Sequence, residues 1–390
     1  MKICLVTYSV FTHGGMQRIT ATMAKELCKR HDIHILVTSG KSDGNIYNIP
    51  EEIPVTIHEL SLPRKVIRNF FNYIAKKGFF NRRRVKSYKK LMFLKKQRDF
   101  LIDFNYRNKF DLVIGFDNGS DFWMASVKDQ VEVPMIGVIQ ASYEHFFGSP
   151  SRGNYNHEWI FQHLLGKLDR LIVLSDDDRR CFAEKLGLDT VKVYNAHDMA
   201  YDQITGLTNK KFIALGRCAH HKGFDILVEG FKIFAEKNSE WSLEIIGDGP
   251  MKAELQEKVA EYKLSQRVSF HPYTNNVQAH LAAASVFVFS SRSEGFGIVQ
   301  VEAMSCGLPI VASTIPVTAE ILSDRGLAIF YETESPQSLA AAMNEIIQLD
   351  LAQMSQRALS YSKNFTAEEI GKQYESIFYE VVKCVPEYNI

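Results

Sequence analysis

The chain has 390 residues, of which 46% are hydrophobic and 23% charged, and its formal net charge at pH 7 is +1. This length exceeds one ordinary hydrophobic core and predicts two domains, each able to bury an interior of its own. The six cysteines show no C-x-x-C pairing or metal-ligand spacing, the chain opens with a strand-like run, and no apolar stretch approaches the roughly 20 residues of a membrane-spanning helix. These features argue against a cysteine metal site and a membrane-spanning protein, and they predict a reducing, cytoplasmic compartment.

The first half alternates short β-rich runs with amphipathic helical stretches. Its first strand and first helix read KICLVTYSV and MQRITATMAKELCKRH. The further strands read IHILVTSG, PVTIHELS, DLVIGF, PMIGVIQAS, DRLIVLS and TVKVYNA. Short apolar strands separated by helical patterns are typical of a parallel, doubly wound sheet. The pattern therefore predicts a Rossmann-like domain over residues 1–200.

Positive charge is concentrated in one segment of this half. Residues 64–109 hold 16 lysines and arginines against Asp99 and Asp103, a net charge of +14. Eight aromatic residues are interleaved with the cations: Phe70, Phe71, Tyr73, Phe79, Phe80, Tyr88, Phe93 and Phe100. On a helix, the cations would face anionic lipid headgroups while the rings enter the membrane interface. Two other interpretations stay open, a nucleic-acid-binding surface and a solvated helical insertion whose rings pack on the first domain.

The pattern of strands and helices starts again after the polar stretch HDMAYDQITGLTNK. Strands are predicted at FIALGR, SLEIIGDG, RVSFHPY, SVFVFSS and PIVAS, with helices from Phe224, near Met251 and from about Ile298. This second wound sheet spans residues 201–365, and an amphipathic helix over about 366–390 follows with no strand after it. The predicted fold class is α/β, with two Rossmann-like doubly wound domains facing a central cleft. Parallel sheets bind ligands beyond the carboxyl ends of their strands, so we expect the substrate there.

The first strand ends in a glycine pair, FTHGGMQR. Gly14 and Gly15 precede a predicted helix, where free backbone N–H groups and the helix dipole favour an anion or a sugar hydroxyl. A simple tight turn is the alternative. The pair does not match G-x-G-x-x-G, and no acidic residue ends the second strand, which argues against a nicotinamide cofactor.

Two cations follow the first strand of the second half, in FIALGRCAHHKGF. Arg217 and Lys222 suit a diphosphate, because arginine can form forked hydrogen bonds to its oxygens and lysine supplies a point charge. A solvated loop is the alternative interpretation. The next strand ends in GDGPM, a turn with exposed amides at Gly247, where Asp248 is a candidate helix cap.

The most informative stretch is EGFGIVQVE, at the junction of a strand and a helix. Glu294 lies just past the strand, and Gly295 and Gly297 let the backbone approach a ligand before the helix begins near Ile298. Glu302 lies about one turn inside that helix and points back towards its amino end. A carboxylate accepts hydrogen bonds from hydroxyls, which suits a ribose at one glutamate and a second sugar at the other. The alternative is that both glutamates are helix-start and surface charges.

Together these motifs resemble the family 4 retaining glycosyltransferases, which have the two-domain glycosyltransferase B fold. The resemblance covers nearly the whole chain and is strongest from LGRCAHHKGF through IIGDGP and SSRSEGFGIVQVEAMSCGLPIVAS to the final helix. Its most specific part is E-x7-E followed by A-M-x-x-G-x-P-I-V-A. In this fold the final helix crosses back to pack on the first domain.

The resemblance implies a nucleotide-sugar donor held mainly by the second domain and an acceptor held by the first. On matching positions, Arg217 and Lys222 would bind the donor diphosphate and Glu302 the ribose. Glu294 and the amides around Phe296 would bind the transferred sugar. The whole expected substrate-binding set is Gly14, Gly15, Arg217, Lys222, Gly247, Tyr273, Glu294, Gly295, Phe296, Gly297, Ile298 and Glu302.

The implied reaction is sugar transfer with retained anomeric configuration. Cations and a helix end would stabilise charge on the departing diphosphate in a cleft that excludes water, so we expect no metal and no cofactor. Such enzymes often carry a histidine after the fifth strand of the first domain. Here that strand runs into VIQASYEHFF, with Gln140 or Ala141 at the matching place and His145 as the candidate substitute. The predicted catalytic residues are Glu294, Arg217, Lys222 and His145.

The expected enzyme moves a hexose or N-acetylhexosamine from a UDP-sugar to a lipid-linked or cell-surface polysaccharide. We expect it to lie on the cytoplasmic face of an anionic membrane through residues 64–109. The alternatives are a soluble-acceptor glycosyltransferase of glycogen or sucrose type and a non-catalytic nucleotide-sugar-binding protein. The intact Arg217/Lys222 and Glu294/Glu302 pairs count against the latter. A nucleic-acid partner is not expected, because the basic segment lies inside a glycosyltransferase-like domain.

Overall fold

A computed structural model describes residues 1–60, 93–148, 154–200, 202–274 and 276–383. The chain forms two compact units, Met1–Ala196 with Ala367–Ile390, and His197–Thr366. Each unit is built around a sheet whose strand pairs are all parallel. The predicted fold class, two Rossmann-like doubly wound domains, is therefore confirmed. None of the helices in the described ranges combines the length and the apolar character that crossing a bilayer requires.

Within the residues that the structure describes, the sheet of the first unit has seven strands. They are β1 (Lys2–Thr7), β2 (Asp32–Val37), β3 (Val55–Ile57), β4 (Leu112–Gly115), β5 (Met135–Val138), β6 (Arg170–Val173) and β7 (Val191–Lys192). Their spatial order is β3-β2-β1-β4-β5-β6-β7. The helices described here are α1 (Gly15–Leu27), α2 (Lys95–Asn108), α3 (Asn118–Val127), α4 (Tyr143–Phe147), α5 (Glu158–Leu165) and α6 (Asp176–Leu186). Strands β4 and β5 are buried along their whole length, because helices cover both faces of a parallel sheet.

The second unit repeats this plan with six strands. They are β8 (Lys211–Leu215), β9 (Ser242–Ile246), β10 (Val268–His271), β11 (Val286–Phe289), β12 (Ile310–Ser313) and β13 (Ala328–Tyr331), in the spatial order β10-β9-β8-β11-β12-β13. The helices described here are α7 (Phe224–Ala235), α8 (Lys252–Glu261), α9 (Val277–Ala282), α10 (Ile298–Ser305), α11 (Pro316–Leu322), α12 (Pro336–Ile346) and α13 (Leu351–Ser362). This order places the carboxyl end of β8 between those of β9 and β11.

The final helix, α14 (Ala367–Lys383), packs on the first unit. Its apolar face is buried at helical spacing, and the ring of Tyr374 stacks on that of Phe116 at a centroid distance of 6.1 Å. The carboxylate of Glu375 accepts one hydrogen bond from Nε of Arg30 at 2.6 Å and contacts the ring of His31 at 2.9 Å. These contacts make α14 part of the first unit, although it follows the whole second unit in the chain.

The structure corrects part of the interpretation of the basic segment. Residues 61–92 lie outside the described residues, and with them most of the cations and rings of residues 64–109. Phe93 is buried in the core, and Phe100 stacks on His58 at a ring-centroid distance of 3.6 Å. These two rings pack within the first unit, so the prediction that they enter a membrane interface is wrong. Lys95 and Lys96 are exposed on α2.

Candidate functional site

Loops from three neighbouring strands meet at the carboxyl edge of the second sheet. Gly247, just after β9, has a φ of 146°, and a Cβ there would lie 1.9 Å from the carbonyl oxygen of Gly216, just after β8. Gly223 has a φ of 65°, and its Cβ would lie 2.0 Å from the carbonyl oxygen of Ser290, just after β11. Only glycine allows these approaches. The three loops therefore form one contiguous surface.

Lys222 and Glu294 form an ion pair on this surface. Lys222 ends a single 3-10 turn, His220–Lys222, and its Nζ lies 2.5 Å from Oε1 of Glu294. The hydroxyl of Ser291 donates a second hydrogen bond to the same oxygen at 2.8 Å. The two charged side chains are only 15% and 14% exposed. Lys222, which is predicted to bind phosphate, and Glu294, which is predicted to bind a sugar, follow different strands and are in direct contact.

Arg217 lies on the loop after β8, next to Gly216, where a Cβ would lie 3.2 Å from the side chain of Lys222. The side chain of Arg217 is exposed, and within the described part of the chain no carboxylate forms an ion pair with it. A Cβ on Gly247 would lie 3.7 Å from the backbone nitrogen of Arg217, which places the predicted diphosphate arginine next to the loop after β9. An exposed guanidinium of this kind is available to a phosphate or a carboxylate.

Helix α10 begins where the sequence predicts, at Ile298. Gly297 before it has a φ of 74°, and no side chain caps the helix. A Cβ at Gly297 would lie 2.6 Å from the ring of Phe289, which explains why glycine occupies this position. The first turn, which no side chain caps, offers the positive end of the helix dipole and amide donors at Ile298 and Val299, while the N–H of Gln300 donates to the carbonyl of Gly297 at 3.0 Å. Phe296 is 3% exposed and packs against Phe365, so its side chain supports the loop.

Glu302 lies one turn inside α10 and is 2% exposed. It is therefore not a surface charge, and that alternative interpretation is wrong for this residue. Burial above all, with an addition from the negative charge of Glu302, raises the pKa of Cys306 to about 12. Its predicted contact with a ribose stays a prediction.

Asp248 has a different role from the predicted helix cap. Helix α8 has Met251 at its N-cap position and no side-chain cap. The carboxylate of Asp248 pairs with Lys252 at 2.7 Å and accepts the backbone N–H of Tyr273 at 2.9 Å. The hydrogen bond from Lys252, followed by that from the Tyr273 amide, lowers the pKa of Asp248. Asp248 thereby joins the loops after β9 and β10 and holds Tyr273, whose side chain is 49% exposed.

In the first unit the two predicted glycines differ from each other. The N–H of Gly14 donates to the hydroxyl of Tyr47 at 2.9 Å, so the expectation of a free amide there is wrong. Gly15 starts α1, and a Cβ on it would meet no atom within 4 Å. The open space therefore lies beside Gly15, while Gly14 and Tyr47 brace the turn. Gly14 is the N-cap residue of α1.

The candidate histidine, His145, lies on the five-residue helix α4 after β5. Its backbone N–H donates to the hydroxyl of Ser142 at 3.2 Å, and its ring meets that of Phe146 edge-on at 5.9 Å between centroids. Gln140, at the matching place of the usual histidine, accepts a hydrogen bond from Asn195 at 2.9 Å. A catalytic role for His145 stays a prediction.

Sequence reasoning missed Arg292, which lies between Ser291 and Glu294 and is 12% exposed. Its guanidinium binds the carboxylates of Asp225 and Glu334 and the carbonyl of His220. The available signal was an arginine three residues after the buried strand β11 and two residues before the first glutamate of E-x7-E.

Comparisons with known proteins agree with this architecture. The family model described as "Glycosyltransferase Family 4" matches residues 13–200, and the one described as "Glycosyl transferases group 1" matches residues 201–365. An uncharacterised glycosyltransferase of Haemophilus influenzae is 21% identical over 96% of this chain and 99% of its own length. The lipopolysaccharide core biosynthesis mannosyltransferase LpsB of Rhizobium meliloti is 32% identical over 43% of this chain and 52% of its own length.

Among solved structures, that of Anabaena HepE in complex with UDP superposes with a TM-score of 0.74 at 19% identity, over 97% of this chain and 100% of that one. This likeness shows a shared fold, the glycosyltransferase B fold.

Proposed function

The chain belongs to the family 4 glycosyltransferases, and we propose that it transfers a hexose or N-acetylhexosamine, with retention of configuration, from a UDP-sugar to a lipid-linked or cell-surface polysaccharide. The observation that carries the proposal is the Lys222–Glu294 ion pair, with Arg217 on the same loop as Lys222 and the uncapped start of α10 four residues after Glu294. A nucleotide sugar presents phosphates next to sugar hydroxyls. Cations and helix amides suit the first, and a carboxylate suits the second.

In the proposed reaction the protein acts mainly through fixed charges. As the bond between the sugar and the diphosphate breaks, negative charge grows on the departing phosphate. Arg217, Lys222 and the amides of the first turn of α10 stabilise that charge more in the transition state than in the ground state. Glu294 accepts hydrogen bonds from hydroxyls of the transferred sugar, and Glu302 from those of the ribose.

The donor is tested by thermal unfolding in the presence of UDP-sugars and GDP-sugars. A donor present at 100 times its dissociation constant stabilises the folded protein by about 2.7 kcal/mol, which is readily seen as a higher melting temperature. We expect a UDP-sugar because the similar structure of HepE was solved with UDP. GDP-sugars are included in the test because LpsB, another relative, is named a mannosyltransferase and its name does not specify UDP. Product NMR with the stabilising donor then reports the anomeric configuration. The proposal would be overturned if none of the donors raised the melting temperature and none of them was used for transfer.

The acceptor side of the proposal includes an anionic membrane surface that binds residues 64–109. The support is the charge of this segment and the name of LpsB, a lipopolysaccharide core enzyme. Each lysine or arginine near an anionic leaflet adds about 1 kcal/mol of attraction. We expect the protein to float with anionic but not neutral liposomes, and to be released by high salt.

Replacement of Arg82, Arg83, Arg84, Lys89 and Lys90 by serine should abolish the binding. Protein that stays unbound to anionic vesicles at low salt would favour a soluble acceptor of the sucrose type.

A further inference from the structure

All three nitrogen atoms of the Arg292 guanidinium donate hydrogen bonds, to three partner residues in total. Nη1 and Nη2 donate to the two carboxylate oxygens of Asp225 at 2.7 and 2.8 Å. Nε and Nη2 donate to Glu334 at 2.5 and 2.9 Å, and Nη1 also donates to the carbonyl of His220 at 2.6 Å. Such a two-pronged arginine–carboxylate contact is rigid as well as strong, because the planar fork matches the carboxylate in one orientation.

Two of the three partners of Arg292, Asp225 and His220, flank Lys222 in the chain. Asp225 follows Lys222 by three residues in the first turn of α7, and His220 precedes it by two. Arg292 itself precedes Glu294 by two residues. The rigid contact therefore joins the loop after β8 to the loop after β11, immediately beside the two members of the Lys222–Glu294 pair.

Two further hydrogen bonds join the same loops. The backbone N–H of Arg292 donates to the carbonyl of His221 at 2.8 Å, and the hydroxyl of Ser290 donates to the carbonyl of Lys222 at 2.8 Å. Lys222 is thus held through its own backbone, while its side chain reaches across to Glu294. A shift of the loop after β8 would move the ammonium group away from the carboxylate and from any phosphate that it binds.

We infer that Arg292, anchored by Asp225, is a positioning residue that sets the separation between Lys222 and Glu294, and hence between the diphosphate and the sugar of the donor. This inference rests on the proposed function. Arg292 acts through Lys222 rather than by touching the substrate.

The charges of this contact persist over the whole pH range of an activity assay. Burial alone would raise the pKa of Asp225, but hydrogen bonds from Arg292 and its positive charge outweigh burial and lower that pKa. The same hydrogen bonds raise the pKa of Arg292 above its usual range. The effect of breaking the contact is therefore expected to be independent of pH near neutrality.

The matched variants are Arg292→Lys, which keeps the charge but loses the fork, and Asp225→Asn, which keeps the shape but loses the charge. Glu334→Gln is the control, because this carboxylate is 56% exposed and its contact with Arg292 is screened by water. Calorimetry measures binding of UDP, GDP and the corresponding nucleosides, and circular dichroism confirms that each variant is folded at the assay temperature.

We expect Arg292→Lys and Asp225→Asn to weaken binding of the nucleoside diphosphate by roughly 5- to 30-fold, which is no more than the loss expected on removing the Lys222 ammonium group through which Arg292 acts. Binding of the nucleoside and the behaviour of Glu334→Gln should change less than twofold. Equal losses of nucleoside and nucleoside diphosphate would indicate general destabilisation and would overturn the positioning role.

A double-mutant cycle with Lys222→Ala tests whether Arg292 affects diphosphate affinity through Lys222 or only by stabilising the fold. If Arg292 acts through Lys222, adding Arg292→Lys to Lys222→Ala should cost little further affinity for the diphosphate. Additive losses would overturn the inference while leaving the proposed function standing. Wild-type protein that binds neither UDP nor GDP would instead overturn the proposed function, and the positioning role with it.

Discussion

Replacing Lys222 with alanine removes one cation from the predicted diphosphate site and leaves Glu294 with the hydroxyl of Ser291. A hydrogen bond to a charged group contributes about 1.5 to 3 kcal/mol. Part of this hydrogen-bond contribution to donor affinity is offset in the wild-type protein, because a phosphate must compete with Glu294 for the ammonium group of Lys222. The net loss is therefore about 1 to 2 kcal/mol, or roughly 5- to 30-fold in affinity for a nucleoside diphosphate. Arg217→Ala should lose at least as much, since no described carboxylate competes for its guanidinium.

The assay is calorimetric titration with UDP and GDP, followed by kcat/KM for the donor that stabilises the protein. Lys237→Ala is the matched control, because this exposed lysine lies just beyond the carboxyl end of α7, away from the Lys222 loop at its start. Melting temperatures of Arg217→Ala and Lys237→Ala should stay close to the wild-type value, because both side chains are exposed. Lys222→Ala should lower the melting temperature, because it leaves the largely buried carboxylate of Glu294 without its cation, so all variants are assayed at a temperature at which they are folded. Affinity and turnover within twofold of wild type in both Lys222→Ala and Arg217→Ala would refute the assignment of the phosphate site.

Three further predictions concern other parts of the molecule. Glu302→Ala should raise the KM for the donor, because the ribose contact is equally strong in the ground state and the transition state. Glu294→Ala should mainly lower kcat, because the contact with the transferred sugar tightens in the transition state. Wild-type steady-state kinetics in both variants would place the donor elsewhere. Gly247→Ala should destabilise the protein by more than about 1 kcal/mol in urea unfolding, because its Cβ would collide with a backbone carbonyl. Asp121 is fully buried, and burial, then the charge of Asp117, raise its pKa well above its usual range. Its stabilising contribution is complete at low pH and is lost as pH rises towards the folded-state pKa, because only the unfolded state ionises. Asp121→Asn should therefore gain stability relative to wild type between pH 5 and 7, by up to about 1.4 kcal/mol per pH unit; a constant difference would contradict this.

The local spacing of apolar residues and glycines was sufficient to predict the strands and the helix that carry the candidate site. Strands β8, β9 and β11 and the start of α10 follow from short apolar runs ended by glycine-rich loops, because burial on a parallel sheet requires such runs and the turns after them require glycine. The same pattern placed Arg217, Lys222 and Glu294 at strand ends. Strand β13 was not recognised from the sequence: it is short, lies at the edge of its sheet and is only half-buried over Ala328–Phe330, so it lacks a long apolar run.

Only the tertiary structure decided which of these side chains meet. Lys222 and Glu294 are 72 residues apart, and they form a pair because β8 and β11 are neighbours in the sheet, a spatial order that no local periodicity contains. For the same reason the contact of Arg292 with Asp225 was invisible in the sequence. The hydroxyl of Tyr47 accepts the N–H of Gly14 from 33 residues away, and the ring of Phe100 stacks on that of His58. In each case the deciding contact joins segments distant in the chain, and the free energy of burying or pairing them exists only once the sheets have formed.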